Sequence, residues 1–268
     1  MPLTRVRDLD VHYELSGQAG DSADTVLLIH GLGSSTEDWA PQVEALSKLF
    51  RVATYDVRGH GLTSKPGGSY SVPQFAQDAA ALVEQLQLGA VHVVGLSMGG
   101  MIGFQLAADR PDLVRSLVIV NSGPEMIPRT RKEKFAIAQR RLIIRLMGMR
   151  AWGRVLADRL LPSAEHAALR DVFVARWARN DRAAYLRALA ALVGWTVTEK
   201  LPGITCPVLV VGADQDYTPV AWKEWYTALM PHATLKVIAN SRHMMPVERP
   251  AEFHEVLMPF LTQAEVAR

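Results

Sequence analysis

Short apolar runs rich in β-branched residues alternate with longer helical patterns along most of the chain. Each run is four or five residues long, which is typical of strands buried in a parallel sheet. We predict seven such strands, at Val11 to Leu15, Val26 to His30, Val52 to Asp56, Val91 to Val94, Leu117 to Val120, Val208 to Val211 and Leu235 to Ile238. The pattern therefore predicts the α/β class, with a mostly parallel central sheet flanked by helices.

Helical periodicity fills most of the gaps between these strands. We predict helices over Ala76 to Leu88, Gly99 to Asp109 and Glu252 to Leu261. The alternation stops after Gly123, and two stretches rich in Ala, Leu and Arg are predicted to be helical throughout, Lys134 to Met147 and Leu156 to Val193. We therefore predict one core, formed by residues 1–124 and 201–268, with an inserted helical cap segment over residues 125–200.

Charge is distributed unevenly between these two parts. Residues 125–200 contain 16 Lys and Arg against 7 Asp and Glu, whereas the whole chain of 268 residues has a formal net charge of +2. The small net charge argues against a nucleic acid partner. Arginines recur every three to four residues in the cap segment, which predicts a solvated helix face or, alternatively, an entrance that attracts anions. They are Arg176, Arg179, Arg182 and Arg187.

Targeting, redox and metal signals are weak in this sequence. The first residues contain no apolar signal region and no run approaches the length of a membrane span, so we expect a soluble cytoplasmic protein with no membrane partner. The single cysteine, Cys206, excludes an internal disulfide. Eight histidines show no paired metal-binding spacing, so we expect no metal and no cofactor. Nothing in the sequence favours one oligomeric state over another.

A serine between glycines, Ser97, follows one predicted strand and precedes a predicted helix. This Gly-x-Ser-x-Gly pattern at a strand-to-helix turn exposes a nucleophile, because glycine lacks the Cβ that would block so sharp a turn. Ser97 is therefore the candidate nucleophile. The backbone N–H of Met98, the next residue, is a candidate oxyanion donor. A structural turn with a solvated serine is the alternative interpretation.

A serine nucleophile needs a base within hydrogen-bond reach, and the base needs a carboxylate that fixes its tautomer. In the α/β arrangement the acid and then the histidine follow the nucleophile, each on a loop after a later strand. His243 follows the predicted strand Leu235 to Ile238 in this way and is the candidate base. Asp214 and Asp216 both follow the strand before it. One could serve as the acid while the other caps the turn.

Taken together, these motifs resemble the α/β-hydrolase superfamily. Residues 30–33 are similar to its loop after the third strand, and residues 56–64 to its Asp-x-Arg-Gly-His-Gly-x-Ser turn. Residues 95–100 resemble its nucleophile elbow, and residues 243–253 its histidine loop and last helix. The resemblance covers nearly everything except residues 125–200. It implies an α/β-hydrolase fold with a cap.

The resemblance also bears on the identity of the acid. Family members carry the acid about ten residues after a Cys-Pro or similar pair, and counting from Cys206 this position is Asp216. The family commonly has glycine three residues before the acid, where this chain has Ala213, with Gly212 one position earlier. This departure keeps Asp214 as the alternative acid.

Two loops of the core are given roles by the same resemblance. It implies that the backbone N–H of Leu32 is the second oxyanion donor, while His30 orders this loop through hydrogen bonds. An ion pair between Asp56 and Arg58 is expected to hold the turn after the third predicted strand.

The predicted function is that of a serine hydrolase, which cleaves a carboxylic ester or related acyl bond of a small molecule through an acyl-enzyme. Trp39 and Trp195 are expected to bind the substrate. The elbow resembles those of 3-oxoadipate enol-lactonases and cofactor-free haloperoxidases. Enol-lactonase, carbon–carbon bond hydrolase and perhydrolase activities of the same fold are therefore alternatives. An alternative of another class is a non-catalytic protein that binds a small molecule.

Overall fold

Eight strands form one sheet in the computed structural model, which describes residues 2–17 and 24–266. The strands are β1 (Leu3–Val6), β2 (Leu9–Gly17), β3 (Thr25–Ile29), β4 (Arg51–Tyr55), β5 (Val91–Leu96), β6 (Val114–Val120), β7 (Val208–Ala213) and β8 (Ala233–Ile238). Their order is β1-β2-β4-β3-β5-β6-β7-β8. The pairs β1–β2 and β2–β4 are antiparallel, and all other neighbours are parallel. The predicted mostly parallel sheet is confirmed.

The burial of a strand's side chains explains whether the hydrophobic pattern of the sequence predicted that strand. Every residue of β3 and β5 is buried, because helices cover both faces of a parallel sheet and leave no polar face to water. All seven predicted strands overlap with strands of the structure. The eighth, β1, was not predicted because it is a four-residue edge strand with only one buried side chain.

Nine α-helices are found in the described residues. They are α1 (Ala40–Leu46), α2 (Val72–Gln85), α3 (Met98–Asp109), α4 (Arg131–Leu160), α5 (Ala167–Ala178), α6 (Arg182–Leu192), α7 (Val220–Thr227), α8 (Met245–Glu248) and α9 (Pro250–Val266). Helix α2 begins four residues before its predicted start, because the Ser71 side chain accepts from the N–H of Gln74 and caps it. None of these helices has both the length and the apolar content needed to cross a membrane.

Residues 125–200 contain α4, α5 and α6, which lie between β6 and β7 in the chain. The prediction of one continuous helix over residues 156–193 is wrong. The first break follows Leu160, where Pro162 cannot continue a helix. The second precedes α6, which the Asp181 side chain caps by accepting from the N–H of Ala184 at 2.7 Å. Helix α4 is itself kinked at Gly148, whose φ of 79° is favourable only for glycine. The separation of core from cap stays a prediction.

The turn after β4 is held differently from the expected ion pair. Arg58 pairs with Asp78 at 2.7 Å and with Asp8 at 2.6 Å, not with Asp56. Asp56 instead contacts Nδ1 of His12 at 2.9 Å and accepts from the N–H of Leu62 at 2.8 Å. The expected Asp56–Arg58 pair is therefore wrong, because each of the two residues has closer partners on other elements.

Candidate active site

Ser97 occupies the turn between β5 and α3, with φ of 55° and ψ of −115°. A non-glycine residue with positive φ is strained, and this strain is typical of an exposed nucleophile at a strand-to-helix turn. Neighbouring groups hold the strained backbone in place. The Ser97 N–H donates to the carbonyl of Val120 at 3.0 Å, and the hydroxyl of Ser122 donates to the Ser97 carbonyl at 2.6 Å.

The residues around Ser97 allow two chain segments to approach closely. A Cβ on Gly99 would collide with the carbonyl of Ile29 at the end of β3. A Cβ on Gly31 would lie 3.5 Å from the Cβ of Ser97. The loop after β3 therefore passes directly beside the candidate nucleophile, as an oxyanion donor on that loop requires.

The two candidate oxyanion donors lie at this contact. Met98 is the first residue of α3, so its N–H has no acceptor within the helix. Leu32 lines the same cavity as Ser97. The loop of Leu32 is ordered by His30, whose Nδ1 contacts the Gly31 carbonyl at 2.8 Å while Nε2 accepts from the N–H of Val57 at 3.0 Å. Burial lowers the pKa of His30, so it is neutral in this position.

Of the two candidate acids, Asp216 contacts His243. Its Oδ1 lies 2.9 Å from Nδ1 of His243, and the carboxylate is fully buried. Asp214 accepts instead from the backbone N–H groups of Asn240 and Ser241, at 3.0 and 3.1 Å. The structure thus brings Asp216 to the candidate base and places Asp214 at a turn.

A buried lysine, Lys223 of α7, contacts the far side of the same carboxylate. Its Nζ lies 3.1 Å from Oδ2 of Asp216 and donates to the carbonyl and hydroxyl of Thr218, at 2.6 and 2.7 Å. Gly212 makes room for this side chain, because a Cβ there would lie 2.8 Å from Cδ of Lys223. The glycine that stands one position early in the family motif therefore has a packing role. Sequence reasoning missed Lys223, because a lone lysine on an amphipathic helix gives no sign of burial.

The pKa of Asp216 reflects these partners. Burial alone would raise it, but the hydrogen bond from His243 and the positive charges of His243 and Lys223 bring the pKa to about 2. Burial lowers the pKa of Lys223, and the charge of Asp216 opposes that effect. Asp216 is therefore ionised at neutral pH and accepts the Nδ1–H of His243. In the tautomer that this bond fixes, Nε2 is the acceptor of the ring.

Tyr217 links the candidate base to the candidate nucleophile. Its hydroxyl lies 3.0 Å from Nε2 of His243 and also forms a hydrogen bond with Ser97. The Tyr217 and His243 rings are 4.4 Å apart, with an interplanar angle of 31°. Given the His243 tautomer, Tyr217 donates to Nε2 and accepts from Ser97. Sequence reasoning missed Tyr217, because an aromatic residue beside an acid matches no catalytic motif.

Asn121, at the end of β6, joins the two loops that carry the acid and the base. Its amide donates to the carbonyls of Arg242 and His243 at 3.0 and 3.1 Å, and its carbonyl accepts from the N–H of Ala213 at 2.8 Å. This residue was also missed. Its position directly after a strand, at the same edge of the sheet as Ser97, is the signal that could have identified it.

Ser97, Tyr217 and His243 line one cavity of about 460 Å³. Most of its remaining wall comes from the cap segment, where apolar and aromatic side chains predominate. They include Met126, Ile137, Leu156, Leu160, Phe173 and Trp177.

The two tryptophans expected to bind substrate do not line this cavity. Trp39 is 1% exposed and packs in the core. Trp195 is also buried, and its Nε1–H donates to Gln105 of α3 at 2.9 Å, which ties the end of the cap segment to the core. The expectation fails because both indoles are used in packing.

The cap arginines of the periodic series mostly bind the core. Arg176 pairs with Asp38 at 2.7 Å, and Arg179 pairs with Glu37. The guanidinium of Arg187 lies 5.8 Å from the ring centroid of Tyr70. These arginines therefore attach α5 and α6 to the core loops, and an anion-attracting entrance built from them is not supported.

The described residues contain no group of three or more His, Cys, Asp or Glu side chains positioned to hold a metal ion. The polar groups of the site include the Ser97 hydroxyl, the His243 imidazole and the Asp216 carboxylate, and the Tyr217 hydroxyl lies between the first two. This arrangement can activate a hydroxyl for attack on a carbonyl carbon.

Comparison with known proteins places this geometry in a family. The family described as "Alpha/beta hydrolase family" matches residues 26–256, which include all four of these side chains. The chain belongs to the α/β-hydrolase family. This hydrolase is 31% identical over 268 residues to a protein of Serratia proteamaculans (strain 568) named "Putative carbamate hydrolase RutD", with 96% of this chain and 98% of that protein covered.

Solved structures show the same fold. An enol-lactonase from Burkholderia xenovorans LB400 is 28% identical to this hydrolase, with a TM-score of 0.88 over 97% of this chain and 100% of the other. A bromoperoxidase from Bacillus anthracis is 23% identical, with a TM-score of 0.88 over 97% and 99% of the two chains, and it shows the fold alone. The chain is therefore an enzyme of the α/β-hydrolase fold.

Proposed function

We propose that this hydrolase cleaves carboxylic esters or closely related acyl compounds, with Ser97 as nucleophile, His243 as general base and Asp216 as the acid. One observation carries the proposal. The buried Asp216 carboxylate lies 2.9 Å from Nδ1 of His243, while the opposite ring nitrogen is linked to Ser97 in a shared cavity. A purely binding protein has no need of such an aligned chain of groups.

The proposed reaction follows from the roles of these groups. His243 removes the Ser97 proton, and Ser97 attacks the carbonyl carbon to form a tetrahedral intermediate. The N–H groups of Leu32 and Met98 stabilise the negative oxygen. His243 then protonates the leaving alcohol, and water repeats the cycle on the acyl-enzyme. Asp216 holds the His243 tautomer and stabilises the imidazolium that forms.

Tyr217 has to leave its position during this cycle. The leaving-group oxygen must come within hydrogen-bond distance of Nε2 of His243 to receive its proton. In this structure the Tyr217 hydroxyl occupies that place, 3.0 Å from Nε2. We infer that substrate entry displaces Tyr217, so that Ser97 then donates directly to His243.

The named relatives widen the range of carbonyl compounds to be tested. The enol-lactonase is named for a cyclic ester and the relative from Serratia proteamaculans for a carbamate. Both are carbonyl compounds that Ser97 could attack in the proposed way. A substrate panel should therefore contain esters, enol-lactones and carbamates. Carbon–carbon cleavage and peracid formation are tested separately, with a meta-cleavage product and with acetate plus hydrogen peroxide.

The proposal is tested by the turnover of p-nitrophenyl acetate and butyrate in the wild type and in Ser97→Ala. We expect Ser97→Ala to lose at least about 10³-fold in kcat, because the nucleophile is gone. Ser69→Ala is the matched control, because Ser69 is exposed on a loop away from the cavity, and it should retain full activity. Equal rates in the wild type and Ser97→Ala would end the proposal.

A further inference from the structure

One arginine in the wall of the cavity, Arg129, pairs with Glu125. Two other arginines of the cap segment, Arg140 and Arg159, lie in the same largely apolar wall above Ser97. Arginine is always charged at neutral pH, so each contributes a full positive charge to the space a substrate would occupy. Neither belongs to the arginine series that attaches the cap to the core. Their partners indicate what kind of substrate the site would accept.

Arg140 has no acidic partner within the part of the chain that the structure describes. Its guanidinium lies 5.0 Å from the ring centroid of Trp152 and 5.3 Å from that of Tyr185, and it donates to the Tyr185 hydroxyl. Its Nε atom is buried and has no hydrogen-bond partner among the described residues. No described carboxylate forms an ion pair with it. A buried donor on an uncompensated charge is costly unless a ligand completes the site.

Arg159 lies beside Tyr217. Its guanidinium is 5.6 Å from the ring centroid of Tyr217, the residue that contacts both His243 and Ser97. Within residues 2–17 and 24–266, no acidic side chain forms an ion pair with Arg159. The stacked ring supports the guanidinium but does not neutralise its charge.

The acidic residues in the cavity wall are already engaged elsewhere. Glu125 pairs with Arg129 at 2.6 Å. Glu133 accepts from the backbone N–H groups of Arg129 and Thr130, at 2.7 and 3.0 Å, as part of the cap at the start of α4. These local bonds lower the pKa of Glu133. Neither acid forms an ion pair with Arg140 or Arg159.

The charges of Arg140 and Arg159 both affect the hydroxyl of Tyr217, which contacts His243. Burial, the largest effect, and the negative charge of Asp216 raise the pKa of the Tyr217 hydroxyl, whereas the charges of Arg140 and Arg159 oppose this rise. A substrate bound at Ser97 would therefore have its remaining part close to two guanidinium groups. A carboxylate matches the planar, forked geometry of guanidinium, with which it forms paired hydrogen bonds.

We propose that Arg140 and Arg159 bind a carboxylate on the substrate, so that the preferred substrates are acyl compounds carrying a free carboxylate away from the cleaved bond. This inference rests on the proposed function for the cleavage step. Its anion-binding part does not depend on cleavage. An experiment can therefore contradict the cleavage step without contradicting the anion-binding site, and the reverse.

The first test compares two esters that differ only at the far end, where one has a free carboxylate and the other its neutral methyl ester. Mono-p-nitrophenyl pimelate carries a free carboxylate, and its methyl ester is the neutral match. In the wild type we expect kcat/KM to be at least about tenfold higher for the anionic ester, mainly through KM, once spontaneous hydrolysis is subtracted. Arg159→Met should lose most of this preference, and Arg140→Met/Arg159→Met should lose all of it.

Arg154→Met is the matched control, because Arg154 is an exposed arginine of the same helix that does not line the cavity. It should keep the preference for the anionic ester. Equal kcat/KM values for the two esters in the wild type would overturn the inference. A preference that survives in the double variant would also overturn it.

The second test measures anion binding without turnover. We expect titration calorimetry with pimelate to show binding to the wild type and Arg154→Met, at least about tenfold weaker binding to Arg159→Met, and none to the double variant. Arg159→Met keeps this test independent of any folding defect caused by losing Arg140, because Arg159 is exposed. Pimelate binding without cleavage of either ester would contradict the proposed function alone. Absence of pimelate binding to the wild type would contradict the carboxylate site.

Discussion

Charged groups on the core side and on the cap side of the site have different partners. On the core side, the Asp216 carboxylate has His243 on one oxygen and Lys223 on the other. On the cap side, Arg140 and Arg159 reach the cavity with aromatic neighbours and no acidic partner among the described residues. Paired charges hold groups in fixed positions, whereas an unpaired charge that lines a cavity is suited to bind a charged ligand. In our account, the core performs the reaction and the cap selects the substrate.

The largest expected effect concerns the carboxylate that pairs with His243 on the core side. Asp216→Asn should lower kcat by about 10⁴-fold, because an amide no longer fixes the His243 tautomer or stabilises the imidazolium. Asp214→Asn is the matched control, since Asp214 contacts only backbone N–H groups of a turn, and it should lose less than about tenfold. The rates are measured with p-nitrophenyl butyrate. A large loss confined to Asp214→Asn would contradict the assignment of the acid.

The next effect concerns the buried ion pair behind the acid. Lys223→Met should lower the free energy of unfolding by about 3 kcal/mol, because the buried Asp216 charge loses a partner. Arg154→Met, on the exposed side of the cap, should change it by less than about 0.5 kcal/mol. Urea denaturation of the folded chain measures both. Equal free energies of unfolding for the two variants would contradict a stabilising role for the Lys223–Asp216 pair.

The pH dependence of the free energy of unfolding tests the contribution of the buried Asp216 charge. The pKa of Asp216 is about 2 in the folded chain, below the ordinary 3.8 of an aspartate. A lowered folded pKa means that Asp216 stabilises the fold above about pH 4 and loses this contribution as the pH falls towards 2, by about 2 kcal/mol in total. The difference in unfolding free energy between wild type and Asp216→Asn should therefore shrink over that range. A difference that stays constant from pH 5 to pH 2 would contradict the lowered pKa.

The smallest expected effect concerns Tyr217, where the core side and the cap side of the site meet. If Tyr217 must leave Nε2 of His243, removing its hydroxyl in Tyr217→Phe should leave kcat/KM unchanged or raise it up to about threefold, since only one weak hydrogen bond is lost. A hydroxyl that instead relayed the Ser97 proton would be indispensable. A loss above about a hundredfold in Tyr217→Phe would therefore contradict its displacement.

The fold could be predicted from the sequence because its signals are local. The β-branched runs of β3 and β5 are buried throughout, and strands covered on both faces leave an unmistakable apolar pattern. The candidate positions Ser97, Asp216 and His243 could be predicted because each lies in the turn or loop that follows a predicted strand. The carboxyl ends of parallel strands meet at one edge of a sheet, and the structure indeed brings the three regions together there.

The rest depends on packing between distant segments, which one sequence does not reveal. Lys223 is separated from Asp216 by a loop and is buried only because Gly212 leaves space for its stem. Trp39 and Trp195 have the composition of pocket residues, yet they pack in the core. Arg140 on α4 lines the cavity, whereas Arg176 on α5 pairs with Asp38 of the core. Such differences arise from how the cap helices dock, and no periodicity in the sequence encodes them.

The central claim is that Ser97 is a nucleophile activated at the edge of the sheet. The most direct measurement is to label the wild type with a fluorophosphonate and map the modified peptide by mass spectrometry. We predict a single phosphonylated residue, Ser97, and no labelling of Ser97→Ala. Labelling of a different residue, or wild-type protein that remains unmodified, would contradict the account.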